Sequence, residues 1–171
     1  MSEEILDLVS PDDVVIGSDT RSNVNKNKLS NFRAANAFIV NDEGKFWIPR
    51  RNKNKKLFPN ALDTSVGGCV SSGEGYEEAF LREAEEEIGL KLQPHQYKFI
   101  CPMNPHTDGT SAFMHVYLIY YNEVPPYNPE DFSSYYWLTG DEILERLKNG
   151  DTSKDDLPRI VRKLKELGLT Q

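Results

Sequence analysis

Apolar residues along this chain recur with two rhythms. Short runs of four to eleven residues, rich in β-branched and aromatic side chains and bounded by turn residues, predict strands. Residues 34–40 (AANAFIV) and 45–49 (KFWIP) are two such runs, joined by the turn Asn41-Asp42-Glu43-Gly44. Residues 5–16 read as two short strands around Pro11-Asp12-Asp13, an N-terminal hairpin. The polar stretch after it, DTRSNVNKNKLSN, reads as a loop or short irregular link. Further strands are expected at residues 62–66, 97–101, 112–122 and 135–138, with 112–122 the longest. Pro125, Pro126 and Pro129 exclude regular structure between the last two.

A helical rhythm appears in three places. Phe80, Leu81, Ala84 and Ile88 fall on an arc roughly 100° wide, the stripe by which a helix docks on a sheet. Thr139-Gly140-Asp141-Glu142 resembles a capping box and opens a helix at 140–148. Residues 155–167 form a last amphipathic helix with Ile160, Leu164 and Leu167 on one face. The elements add up to an α/β chain, a mixed sheet with helices on both sides. One domain is expected over 1–171, with a hairpin extension at 1–32 and a core at 33–165.

Composition narrows the function. Hydrophobic content of 38% and charged content of 27% fit a soluble globular protein. A net charge of −7 argues against a nucleic-acid backbone as partner. Cys69 and Cys101 are too few for a disulfide framework, so a reducing, cytoplasmic setting is the simpler expectation. The acidic start MSEEILD has no signal-peptide core. The most apolar run, residues 113–121, is too short for a membrane helix.

The chemistry concentrates in residues 68–90, GCVSSGEGYEEAFLREAEEEIGL, a short loop feeding an acidic helix. Glu83, Glu86 and Glu87 stand at i, i+3 and i+4 and share one helix face at the edge of the apolar stripe. Glu78, Glu85 and Arg82 face away from that stripe, Glu77 and Glu78 suit the positive end of the helix, and Gly89 suits its left-handed end. Three glutamates alone can be a solvated acidic face, because like charges cost only about 0.2–0.5 kcal/mol per exposed pair. The whole spacing carries more. Gly68, Glu74, Arg82, Glu83, Glu86, Glu87 and Gly89 match the pattern G-x5-E-x7-R-E-U-x-E-E-x-G-U, closed by Leu90, with Ala84 a soft departure at the first U. Seven such matches arise by chance on the order of once in 10^8 starts at about 7% usage per residue.

This pattern is the signature of the Nudix hydrolases, and residues 33–165 resemble that family. The resemblance implies an α/β/α sandwich and hydrolysis of a diphosphate linked to another group. It implies Mg2+, or Mn2+, held by the carboxylates of Glu83, Glu86 and Glu87 and by the Gly67 backbone carbonyl. Such hard cations suit carboxylate oxygens, and they polarise phosphoryl oxygens. Arg82 and Glu74 would brace loop and helix. Glycine at 67 and 68 lets backbone approach a ligand. Segment 48–87 and the leading ILDLVSPDDVVIG also resemble the branch related to isopentenyl-diphosphate isomerase. Those isomerases carry an acid-base cysteine where this chain has Gly67. Cys69 lies two residues on, nearly 7 Å along a strand at about 3.3 Å per residue. Hydrolase is therefore favoured over isomerase, with a non-catalytic diphosphate-binding module as a third reading.

Outside the motif, Arg50, Arg51, Lys53, Lys55 and Lys56 form a basic patch. Arg50 and Arg51 are expected to grip phosphate, since guanidinium binds it bidentately, and the lysines to be solvated. Asp131 is a candidate supplementary metal ligand or general base, or else a turn residue after Asn128-Pro129, with Glu130 as fallback. His106 and Asp108 can reach substrate or cap turns. His95 is expected at the surface, and His115 as a structural residue or pocket wall. The expected partner is a small-molecule diphosphate, with no nucleic acid or membrane, in a monomer or homodimer.

Overall fold

A computed structural model describes residues 2–171. In chain order the elements are β1 (Ile5–Val9), β2 (Val15–Thr20), α1 (Arg21–Lys26), β3 (Arg33–Val40), β4 (Phe46–Arg51), β5 (Val66–Cys69), α2 (Tyr76–Ile88), β6 (Tyr97–Met103), β7 (Phe113–Tyr120), β8 (Phe132–Leu138), α3 (Gly140–Lys148) and α4 (Asp156–Glu166). β1 and β2 form a separate antiparallel hairpin, and the other six strands form one mixed sheet. Its order is β6-β7-β3-β4-β8, with β3 and β7 parallel and the remaining pairs antiparallel. One edge of β3 is divided. β4 pairs only at Val40–Phe46, and β5 takes the other end, from Ala34–Cys69 to Ala37–Val66.

Alternation along β3 assigns the two faces. Ala35, Ala37 and Ile39 pack with Phe80, Ala84 and Ile88 of α2, where Phe80 stacks on Tyr117 at 4.3 Å between ring centroids. Phe38 packs on the opposite face with Ile143 of α3 and Ile160, Val161 and Leu164 of α4. Helices therefore cover both faces, the expected α/β/α arrangement. α2 ends at Gly89 with φ 65°. Thr139 and Glu142 make the reciprocal capping bonds at the start of α3. No helix of the described residues is long and apolar enough to cross a membrane.

Four local expectations need correction. The polar stretch after the hairpin contains α1, capped by the Thr20 hydroxyl, which accepts from Asn23 N–H at 3.2 Å. Only Val24 of α1 is buried, so no apolar period announces it. The strand expected at 62–66 lies instead at Val66–Cys69. Side chains occupy the backbone groups that a longer ladder would use: Ser65 Oγ donates to Trp47 O at 2.6 Å and accepts from Ile39 N–H at 2.9 Å. β8 begins at Phe132, three residues before the expected start. Leu167 caps α4 and is half exposed, while Leu157 and Val161 complete the buried face.

The N-terminal hairpin is tied to the loop before α2. Ser72 N–H donates to Ile5 O at 2.7 Å, and Ser71 Oγ to Glu4 Oε1 at 3.0 Å. Asp7 accepts from Ser72 Oγ at 2.6 Å and from Gly73 N–H at 3.1 Å.

Candidate active site

A cleft of about 800 Å³ runs between α2, the β5 strand and α1. Strand alternation splits the two glycines at its centre. Gly68 faces α2, where a Cβ would lie 2.3 Å from the Glu83 carboxylate. Gly67 faces the other way, where a Cβ would lie 2.9 Å from Asn36 Oδ1 and 3.1 Å from Thr64 Oγ1. Both positions need glycine for close approach rather than for an unusual φ. Gly67 N–H donates to Glu87 Oε1 at 2.9 Å, so the strand locks directly onto the acidic helix.

Arg82 organises the loop. It donates twice to Glu74, at 2.9 Å each, to Cys69 O at 3.1 Å and to Glu83 at 2.7 Å. It also reaches Glu86 at 3.4 Å, although Glu86 is largely exposed. Ser71 N–H adds a bond to Glu74, and Arg82 holds the Glu74 carboxyl below the ordinary range. Desolvation pushes Glu83 upward against the pull of Arg82. Glu87 is raised further, by desolvation first and then by the nearby Asp63 carboxylate.

Six carboxylates line the cleft: Asp63, Glu83, Glu86, Glu87, Asp131 and Asp156. Five cations face them: Arg21, Lys28, Arg51, Lys55 and Lys154. Among the described residues no three acidic, histidine or cysteine side chains converge on one point. Arg82 and the Gly67 N–H engage the three glutamates instead. The donor set still fits a divalent cation. It consists of hard oxygens on one helix face, crowded and partly desolvated, a surplus of negative charge that a cation would neutralise.

The basic patch divides differently from expectation. Arg51 lines the cleft, braced by Asp63 at 2.9 Å and by Leu57 O at 2.9 and 3.1 Å. Lys55 was expected in solvent but also lines the cleft, paired with Asp131. Arg50 is not at the cleft. It makes two bonds to Asp151, at 2.9 Å each, and one to Tyr136 Oη at 3.3 Å. Neighbouring residues of a strand point to opposite faces, which separates Arg50 from Arg51. The Arg50 guanidinium holds the Asp151 carboxyl below its usual range. This pair should stabilise the fold above the unfolded carboxylate pKa near 4 and lose that contribution as pH falls below about 4. Thermal melts of Asp151→Asn should accordingly show a shallower fall than wild type over that interval; equal slopes would remove the assignment.

Asp131 sits in the cleft wall, at the end of a segment tied to the patch by Asn52 N–H donating to Asp131 O at 2.9 Å. Glu130 is exposed and does not line it. Cys69 lines the cleft, and burial pushes its thiol up. Asp108 pairs with Lys163 at 3.3 Å and accepts from Asn104 N–H at 3.0 Å, away from the cleft. His106 packs on Phe113, and His95 is exposed. His115 stacks on Tyr76 at 3.6 Å and does not line the cleft. The sequence pattern gave no sign that α1 and the turn after it supply Arg21 and Lys28, nor that Asn36 and Asp63 stand in the cleft wall.

An α/β/α sandwich whose acidic helix faces a mixed-charge cleft is suited to holding a cation beside a charged ligand. A family model, the NUDIX domain, matches residues 30–158, and this chain belongs to the Nudix family. It is 45% identical over 159 residues to an uncharacterised Nudix hydrolase of Nostoc sp., covering 93% of this chain and 94% of that one. A Nudix hydrolase of Deinococcus radiodurans is 42% identical over 163 residues, 95% of each chain. A crystal structure of a protein from D. radiodurans superposes with a TM-score of 0.86 at 42% identity, over 94% of this chain and 98% of that one. The MutT protein of Methanosarcina mazei Go1, at 19% identity and TM-score 0.60, covers 80% of this chain and 94% of its own, and shares the fold.

Proposed function

We propose that this chain hydrolyses the diphosphate linkage of a nucleoside diphosphate or related nucleotide with Mg2+, Mn2+ serving as an alternative. The observation that carries this reading is the meeting, in one cleft, of the Glu83-Glu86-Glu87 face with Arg51 and Lys55. Glu83, Glu86 and Glu87 hold the cation, with the Gly67 carbonyl as a further oxygen. When bound, the cation neutralises the diphosphate and polarises a phosphoryl oxygen.

The chain's own residues do the rest. Arg51 offers a guanidinium already fixed by Asp63 and Leu57 O, so little side-chain freedom is lost on gripping phosphate. Lys55 adds a second charge, and its pairing with Asp131 keeps both at the cleft wall. Asp131 is the candidate to accept a proton from the attacking water. Arg82 and Glu74 hold the loop and the helix in register.

The isomerase reading is weaker. Position 67 bears no side chain, and a Cβ there would press on Asn36. Phosphorus NMR of the purified protein with Mg2+ and nucleoside di- and triphosphates, ADP-ribose or isopentenyl diphosphate tests the choice, with Glu86→Gln as control. Cleavage of a nucleotide, lost in the control, is the expected result. Rearranged isopentenyl diphosphate with intact phosphates would make it an isomerase, and no turnover of any compound would favour a binding module.

A further inference from the structure

Asn36 is among the cleft-lining side chains with no role in the hydrolytic reading. Asn36 lies on β3, paired with Gly67 on one side and Val116 on the other. It is only 8% exposed, yet it lines the cleft. A buried carboxamide carries two N–H donors and two acceptor lone pairs that need partners. Here they are poorly met. Nδ2 points at the Met114 thioether, 3.6 Å away, a weak acceptor. Oδ1 lies 3.2 Å from Thr64 Oγ1, but that hydroxyl has one proton and sits closer to Val66 O, at 2.9 Å. Turning the amide over leaves one of its two polar atoms against the thioether.

The surroundings show what the amide faces. Asn36 fills the space that a side chain at position 67 would occupy, next to the strand that locks onto Glu87. Asn36 and the Glu83-Glu86-Glu87 face line the same cleft. Around the amide the wall carries apolar Phe32, Ala34, Ala112, Met114 and Leu157, interrupted by Ser111 and Asp156, which bond each other. Apolar surface with a few convergent polar groups is the anatomy of a site that orients a flat, partly polar ligand.

We propose that Asn36 is a substrate-contacting residue that selects the group attached to the diphosphate. Its carboxamide bonds a ring edge that offers a donor beside an acceptor, as nucleobases do, and it discriminates against hydrocarbon groups, which leave the amide unpaired. The proposal rests on the diphosphate-hydrolase reading of the cleft.

Steady-state kinetics with Mg2+ test it, using nucleoside diphosphates that differ only in base, together with isopentenyl diphosphate. Asn36→Leu should lower kcat/KM for the preferred nucleotide about 10- to 100-fold, mostly through KM, and collapse the ratio between best and worst base. Asn36→Asp, which replaces the donor with an acceptor, should change the rank order of the bases, which a purely structural role would not do. A uniform loss across all substrates in both variants, with lowered melting temperatures, would make Asn36 a brace for Thr64 and Gly67 and overturn the proposal. Unchanged selectivity would overturn it as well. Wild-type protein that cleaves only isopentenyl diphosphate would leave the hydrolase standing and remove this role. Wild-type protein that cleaves nothing would remove both.

Discussion

Glu87→Gln should lower kcat by about 10²–10³-fold while changing substrate affinity little. The magnitude corresponds to the several kcal/mol that a cation contributes to stabilising charge in the transition state, at about 1.4 kcal/mol per tenfold in rate. The substitution is chosen because it preserves shape. Glu87 accepts from Gly67 N–H at 2.9 Å, and a carboxamide oxygen can accept the same bond. What disappears is a charge already crowded by Asp63 and Glu83. The metal-free variant should therefore melt no lower than wild type, because repulsion is relieved. The rise in melting temperature that Mg2+ produces by binding the folded state should shrink or vanish. Turnover and Mg2+ stabilisation both equal to wild type would exclude Glu87 as a metal ligand. A lower metal-free melting temperature would mean that the residue mainly holds the fold.

The second large effect is on stability. Gly89→Ala is expected to destabilise the protein by about 2–4 kcal/mol, from a left-handed backbone imposed on a side chain and from overpacking. Gly89 has φ 65°, and a Cβ there would meet the Pro126 carbonyl oxygen and Cγ at 2.8 Å each. The carbonyl belongs to the backbone, so relief requires moving a loop, unlike a clash with a flexible side-chain tip. That loop is fixed to the same helix end, where Asn128 N–H donates to Glu87 O at 2.9 Å. Displacing it also shifts Asp131, three residues further on. Denaturant unfolding should show the loss in stability, and activity assayed well below the melting temperature should fall as well. A variant as stable as wild type would mean that residues 125–128 yield more easily than their packing against Gly89 indicates.

How far the sequence carries differs by element, for physical reasons. α2 was legible to the residue at its end, because an apolar stripe, a glycine terminus and a fixed-spacing motif agree. The two-faced sheet was legible because Phe38 and Ile39 are apolar on successive residues, as burial on both sides demands. β5 was misplaced because Thr64 and Ser65 resemble strand residues but spend their side chains on backbone groups. α1 was missed because a six-residue polar helix has no period to detect; the Thr20 cap was the available signal.

The site divides in the same way. The motif residues Glu74, Arg82, Glu83, Glu86 and Glu87 came from spacing; Glu83, Glu86 and Glu87 line the cleft, and Arg82 ties Glu74 to Glu83 beside it. Arg50 and Arg51 look alike in sequence, and only strand register says which faces the cleft. Lys55 looks like one charge in a solvated run until Asn52 ties its loop to residues 129–131. Asn36 gave no sign, since a single asparagine within an apolar strand has no pattern of its own.

The bonds from Glu4, Ile5 and Asp7 to Ser71, Ser72 and Gly73 bear on how such proteins can be recombined. The family match begins at residue 30, yet the signature loop leans on residues well before it. A chimera that grafts only residues 30–158 onto a foreign leader would keep every motif glutamate and still leave that loop without its outer support. The practical unit of exchange for this protein is the core together with its own first strand.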